Sequence, residues 1–246
     1  MNRLLRSALD FVFPPLCIGC RALVAEPGSL CAACWQEVEF LDGPCCATCG
    51  FPFELDPGAG TQCSACLADP PSYDRARAVM RYEDTSRGPI LALKHADRLD
   101  LVPGFARWLD RAGRSLLDDT DFIVPVPLHA SRLWSRRYNQ SAELARALGR
   151  LARKPVEPLA LSRVRATPSQ GEMPSAGARR RNMQGAFKVT AARKARVEGK
   201  KVLLIDDVMT TGATVEACAR ALKRAGAEKV HVLALARVVR PQTGSI

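Results

Sequence analysis

The chain has 246 residues, 47% of them hydrophobic and 25% charged, with a formal net charge of +11. That length and apolar content suit one medium domain or two small ones, each with a core, and no apolar run approaches the ~18–20 residues that a membrane-spanning helix needs. The charge is uneven: residues 1–72 hold three basic and eight acidic residues (net −5) and the rest hold 33 and 17 (net +16), so the C-terminal region is expected to meet an acidic ligand, a polyphosphate, a nucleic acid or both.

Residues 3–13, RLLRSALDFVF, have only the outline of a signal peptide. Arg6 and Asp10 interrupt the apolar run, and Pro14-Pro15 stands where a small-residue cleavage site belongs. A short amphipathic helix is expected here, in a cytoplasmic protein.

Nine of the ten cysteines lie between Cys17 and Cys66. They form four Cys-x-x-Cys pairs: Cys17/Cys20, Cys31/Cys34, Cys46/Cys49 and Cys63/Cys66. Two thiolates so spaced on a tight turn face one metal ion, and two such turns complete a tetrahedral sulfur site. Two structural Zn2+ ions are therefore predicted, in a double zinc ribbon. The simplest assignment is sequential, Cys17, Cys20, Cys31 and Cys34 on one ion and Cys46, Cys49, Cys63 and Cys66 on the other; interleaved pairing fits the spacing too. A disulfide framework suits a small secreted chain and sits badly with a cytosolic protein. Cys45 is left over, and Cys218, on a later helix, reads as a small buried apolar residue.

Pro70-Pro71 closes this module, which places a boundary between residues 1–71 and 72–246. Beyond it, 73–82 reads as a strand, and 101–117 as a helix with Phe105, Trp108, Leu109 and Ala112 facing the core. Residues 121–126 read as a strand entering Pro125-Val126-Pro127. Residues 139–152 form a helix with Leu144, Leu148 and Leu151 on one face. Residues 163–187 are basic and broken by Pro168, Gly171, Pro174 and Gly177; they read as a mobile flap that lays arginines over a bound pyrophosphate. Strand 201–206, helix 213–225 and strand 229–236 complete an alternation that implies an α/β domain with a mostly parallel sheet.

The most informative stretch is Lys201–Ala217, KVLLIDDVMTTGATVEA. Val202–Ile205 has the form of a buried parallel strand. It runs into Asp206 and Asp207, and then into a Thr/Gly turn that opens a helix, where backbone N–H groups and hydroxyls can meet an anion. Two carboxylates beside such a cradle make a poor phosphate site but a good sugar-phosphate site: they accept hydrogen bonds from vicinal hydroxyls while the helix end takes the phosphate. Ribose 5-phosphate has that shape, and the segment is similar to the ribose-phosphate loop of type I phosphoribosyltransferases.

Taken together, the features resemble the ComF/GntX family, a double zinc ribbon followed by a phosphoribosyltransferase domain. The resemblance rests on the paired cysteines, Tyr82 with Leu93-Lys94, Pro125-Val126-Pro127-Leu128, and Arg136-Arg137-Tyr138-Asn139-Gln140. It also rests on Arg163-x-Arg165-x-Thr167-x-x-Gln170, Asn182-x-x-Gly185-Ala186-Phe187 and the ribose loop. It implies an α/β, type I phosphoribosyltransferase-like fold with an N-terminal double zinc ribbon. It further implies that phosphoribosyl pyrophosphate binds with Mg2+, its ribose on Asp206 and Asp207 and its 5-phosphate on Thr210, Thr211, Gly212 and Thr214. Arg136 and Lys94 would face the pyrophosphate. Transfer in this class proceeds through an oxocarbenium-like centre by positioning and electrostatics, so no catalytic residue is assigned. The implied role is in DNA uptake and utilisation, with single-stranded DNA and uptake-machinery proteins as partners. The alternative is an active phosphoribosyltransferase with an acceptor in nucleotide metabolism. No segment reads as a nucleobase pocket, and only Trp134 and Tyr138 lie among the arginines as stacking aromatics. The family usually has glycine where this chain has Arg137, a residue that takes positive φ only with strain.

Overall fold

The computed structural model describes residues 14–165 and 181–239. The expected N-terminal helix, and Thr167, Pro168, Gln170, Gly171, Pro174 and Gly177 of the expected flap, lie outside them.

Four parallel strands form the centre: β1 (Arg75–Arg81), β2 (Phe122–Pro125), β5 (Lys201–Met209) and β6 (Lys229–Arg237), in the spatial order β1-β6-β5-β2. The two inner strands are the most apolar. β6 is buried from Val230 to Arg237 and β5 from Val202 to Asp206, as strands covered on both faces must be. A separate antiparallel pair, β3 (Leu161–Arg163) and β4 (Phe187–Val189), brackets the expected flap.

Helices α4 (Val102–Leu117) and α6 (Gln140–Ala152) cover one face of the sheet, where Phe105, Leu109, Leu144 and Leu148 pack with Leu203, Ile205 and Leu233. Leu151, expected beside Leu144 and Leu148, is half exposed. On the other face α8 (Ala213–Arg224) and the β3–β4 pair pack with Val202, Leu204, Val230 and Val232. Cys218 is buried there as expected. The shorter helices are α1 (Ala32–Glu37), α2 (Ser64–Ala68), α3 (Asp84–His95), α5 (Ala130–Arg136) and α7 (Ala191–Val197).

Neither edge of the sheet is left bare. Residues of the ribbon pair with β1: Leu41 N–H donates to Val79 O (2.9 Å), Arg81 N–H to Glu39 O (2.9 Å) and Ala76 N–H to Thr48 O (2.6 Å). At the β2 edge, Ile123 bonds Pro155 and Glu157. Such cover removes a template for unwanted strand pairing. The ribbon therefore belongs to the sheet's own hydrogen-bond system. Gly50 marks how close it comes: its φ is 67°, and a Cβ there would meet Ala76 O at 2.5 Å.

At the N-terminal ends of the strands, Asp119 accepts from Lys201 Nζ (2.8 Å) and Lys229 Nζ (2.7 Å), with His231 Nε2 at 3.3 Å. The Lys201 and Lys229 bonds hold its carboxyl far below the usual range. Burial lowers the His231 pKa, so this cluster anchors β5 and β6 from below and leaves their C-terminal ends for chemistry.

Candidate functional site

The described cysteines form no disulfide; all ten are free thiols. Eight gather into two sets, Cys17/Cys20/Cys31/Cys34 and Cys46/Cys49/Cys63/Cys66, each with its sulfurs within 4.8 Å of one another. The pairing is thus sequential. Cys20 Sγ lies 3.6 Å from Cys31 Sγ, and Cys49 Sγ 3.7 Å from Cys63 Sγ. With Zn–S near 2.3 Å, a tetrahedron has edges of about 3.8 Å, so the spacing fits zinc. Backbone donors supply the usual support: Cys31 N–H to Cys17 Sγ (3.2 Å) and Cys63 N–H to Cys46 Sγ (3.3 Å). Burial raises the Cys17 pKa, but donors from Cys20, Cys31 and Gly19 outweigh it and bring the thiol down to about 6. Four-thiolate sites leave no position for substrate, so these are structural zinc sites.

The two sets differ in environment. All four cysteines of the second set are buried, in one core with Tyr73, Ala76, Val124 and Val232. In the first set Cys20 is exposed and Cys31 and Cys34 are half-buried. Cys45 belongs to neither; it is half-buried and paired by an isolated bridge with Pro52.

The second site forms because β5 outruns β2. β2 ends at Pro125, opposite Ile205, so Asp206 and Asp207 continue without a partner strand on that side. On the other side Asp206 faces Ala234, a residue too small to cover it. A strand-end crevice is the usual ligand position in a parallel sheet. Asp206 is only 9% exposed; its Oδ1 accepts from Asp207 N–H (3.0 Å) and Ser141 Oγ–H (3.3 Å). Burial, reinforced by the Asp207 charge, pushes the Asp206 carboxyl up to about 7. Asp207 meets Lys94 Nζ at 3.2 Å. Lys94, expected toward a pyrophosphate, thus stands against the acid pair.

Thr210, Thr211, Gly212 and Thr214 follow directly. Gly212, at φ 75°, is the N-cap of α8, and no side chain caps that helix. Its first N–H groups are therefore available to an anion, favoured by the helix dipole. Arg136 ends α5 and is half-buried.

The Arg136–Gln140 motif proves to be a brace. Tyr138 O–H donates to Leu93 O, and Gln140 Nε2 to Lys94 O at 3.2 Å, which holds the end of α3 beside the acids. Asn139 caps α6 through Ser141 N–H (3.0 Å) and donates to Val126 O (3.0 Å). Motifs scattered over fifty residues of chain are thus one network around Asp206 and Asp207. Arg137 does adopt the left-handed conformation, at φ 62°. Its Nη1 lies 3.7 Å from Asp97 Oδ2 in a largely exposed pair of little worth. Arg137→Gly is accordingly expected to stabilise the protein by about 1 kcal/mol by removing the Cβ penalty, read as a higher denaturation midpoint at unchanged m-value.

Two residues at this end of the sheet escaped sequence reasoning. Ser141 carried no signal beyond its place after an N-cap. Arg237 could have been noticed, because it ends a buried strand on the ligand side of the sheet.

Fold and sites together define a double zinc ribbon joined to a phosphoribosyltransferase-type domain. The chain matches the double zinc ribbon domain over residues 8–67 and the phosphoribosyl transferase domain over 141–243. It is 33% identical over 232 residues to the DNA utilization protein YhgH of Escherichia coli strain K12, covering 92% of this chain and 98% of that protein. It is 31% identical over 227 residues to competence protein F of Haemophilus influenzae, covering 90% and 96%. Against competence protein ComFC of Bacillus subtilis the identity is 24% over 211 residues, 83% of this chain and 82% of that one. The chain belongs to the ComF family.

Proposed function

We propose that the β5–α8 loop binds phosphoribosyl pyrophosphate, or a closely similar sugar phosphate, with Mg2+, in a cytoplasmic protein of DNA uptake or utilisation. One observation carries this reading: a carboxylate pair at an uncovered strand end lies next to an uncapped helix N-terminus. Asp206 and Asp207 accept the ribose hydroxyls. Thr210, Thr211, Gly212 and Thr214 surround the 5-phosphate. Lys94 exchanges Asp207 for the pyrophosphate, which Arg136 also faces. Mg2+, which favours carboxylates together with substrate phosphates, would be held by the acid pair and the ligand and would neutralise the pyrophosphate. The ribbon, residues 1–71, serves as a brace for the sugar-phosphate unit, 72–246.

Calorimetry tests the site. Mg-phosphoribosyl pyrophosphate is expected to bind the wild type and to lose at least about 100-fold in affinity in the Asp206→Ala/Asp207→Ala variant, since both hydroxyl acceptors are gone and each charged hydrogen bond contributes about 1.5–3 kcal/mol. Equal affinity in the two proteins would remove the site.

The names of the relatives and the net +16 of residues 73–246 support contact with single-stranded DNA and with proteins of the uptake machinery. Fluorescence anisotropy with a labelled oligonucleotide should give binding that weakens steeply between 50 and 200 mM salt, as phosphate neutralisation requires. No binding even at the lower salt would count against direct contact. A transferase reading draws on one further observation, an open cleft beside the same loop with room for an acceptor.

A further inference from the structure

The second ribbon and the β5–α8 loop do not meet flush. Between them lies a cleft of about 700 Å3, within the ~300–1,000 Å3 usual for small-molecule sites. Thr210 and Thr211 lie on the loop side; Phe51, Ala68 and Tyr73 line it from the ribbon and the start of the sheet domain, and Arg237 ends β6 among them. Arg237 is only 7% exposed. Its Nη1 donates to Cys49 O at 2.6 Å, its guanidinium stands 5.6 Å from the centre of the Phe51 ring, and its buried Nε finds no partner among the described residues. An unmatched buried donor calls for an acceptor, and here it belongs to a side chain that lines an open cleft.

The charges around the cleft narrow the ligand. Arg237 and Arg220 are faced by Glu216 and by the thiols of the second zinc set, so no net positive field draws in a further anion. Glu216 is already engaged, accepting from Ser72 N–H (2.8 Å), Ser72 Oγ–H (2.7 Å) and Arg220 Nη2 (2.9 Å). Arginine offers donors only, so the ligand must present acceptors. A neutral planar ring with a carbonyl oxygen and a ring nitrogen on one edge satisfies this, and such an edge is the commonest base feature that arginine reads. Phe51 and Tyr73 supply aromatic surface.

We infer that this cleft binds an oxo-substituted nitrogen heterocycle of the 6-oxopurine or pyrimidinone kind, so that the second ribbon is one wall of a ring-binding site. The inference rests on the sugar-phosphate reading for what lies next to the ring, though not for the cleft's own chemistry.

Saturation-transfer NMR on the full-length, zinc-loaded protein tests it, with hypoxanthine, uracil and adenine as probes, each with and without Mg-phosphoribosyl pyrophosphate. Transfer to hypoxanthine or uracil is expected, with at least about five-fold weaker binding of adenine, whose exocyclic amine opposes the guanidinium. Ala68→Trp fills the cleft from an exposed helix position; it should weaken ring binding at least ten-fold while leaving the circular dichroism and the phosphoribosyl pyrophosphate affinity unchanged. Arg237→Lys should erase the preference for oxo rings. No transfer to any ring, or equal transfer in Ala68→Trp, overturns the inference. A sample that binds the ring but not phosphoribosyl pyrophosphate would count against the sugar-phosphate site alone.

Discussion

Serine at Cys63 is expected to unfold the whole chain, whereas serine at Cys20 leaves it folded. Each change removes one of four ligands, and a structural zinc contributes about 10–16 kcal/mol of apparent binding free energy to such a module, comparable with the roughly 5–15 kcal/mol net stability of a domain. The difference lies in what surrounds the sulfurs. Cys46, Cys49, Cys63 and Cys66 are buried in the same core as the strands, and Arg237 of β6 bonds the carbonyl of Cys49. Residues 39–48 pair with the edge of β1. Losing the second zinc therefore uncovers the sheet itself, while losing the first opens a site whose Cys20 already faces water. Cys63→Ser should yield insoluble protein or no cooperative thermal transition. Cys20→Ser should lose one zinc and several degrees of Tm, and retain the transition. Equal damage from both substitutions would contradict this division.

Asp206→Asn should bind Mg-phosphoribosyl pyrophosphate at least about 100-fold more weakly and yet be more stable than wild type at pH 8. Burial, and then the neighbouring Asp207 charge, raise the native carboxyl to about 7, against about 3.9 in an unfolded chain. The native state then holds a proton that the unfolded state has released, so stability present below pH 4 is lost as pH rises through about 7. The gap between those two values corresponds to about 4 kcal/mol at most, and relaxation around Lys94 reduces it, so a gain of about 2–4 kcal/mol is expected from the amide at pH 8. At pH 4 the gain should vanish. Denaturation midpoints at the two pH values give the comparison; a uniform effect would show that the buried charge is not the cause. A site that destabilises its own fold in the ionised state is where a stability–function exchange is expected.

Several elements were invisible in the sequence for identifiable reasons. Helix α3 carries Gly88 and Pro89, residues that read as breakers, yet Pro89 is accommodated inside it. The helix matters because it ends at Lys94. Strands β3 and β4 are three residues each and pair across an intervening segment, so neither has a period of its own. No ring-binding cleft is legible along the chain, because Phe51, Tyr73, Thr210 and Arg237 are brought together only by the ribbon folding back over the ends of β5 and β6. The long elements were legible: the strands around 75–81, 201–209 and 229–237 and the helices around 102–117, 140–152 and 213–224 fall where apolar periodicity puts them.

What the sequence determined by itself is whatever contiguous residues dictate: four Cys-x-x-Cys knuckles, the apolar run into Asp206-Asp207, and the Thr/Gly turn that starts α8. Each is a local choice of backbone and donor atoms, complete within a dozen residues. Tertiary structure alone decided that the zinc sets are sequential, that Asp206 is buried while Asp207 meets Lys94, and that Arg237 lines a cleft walled by the ribbon. Those outcomes turn on solvent exclusion and on contacts between segments far apart in the chain, and burial, unlike turn geometry, is a property of everything that packs around a residue.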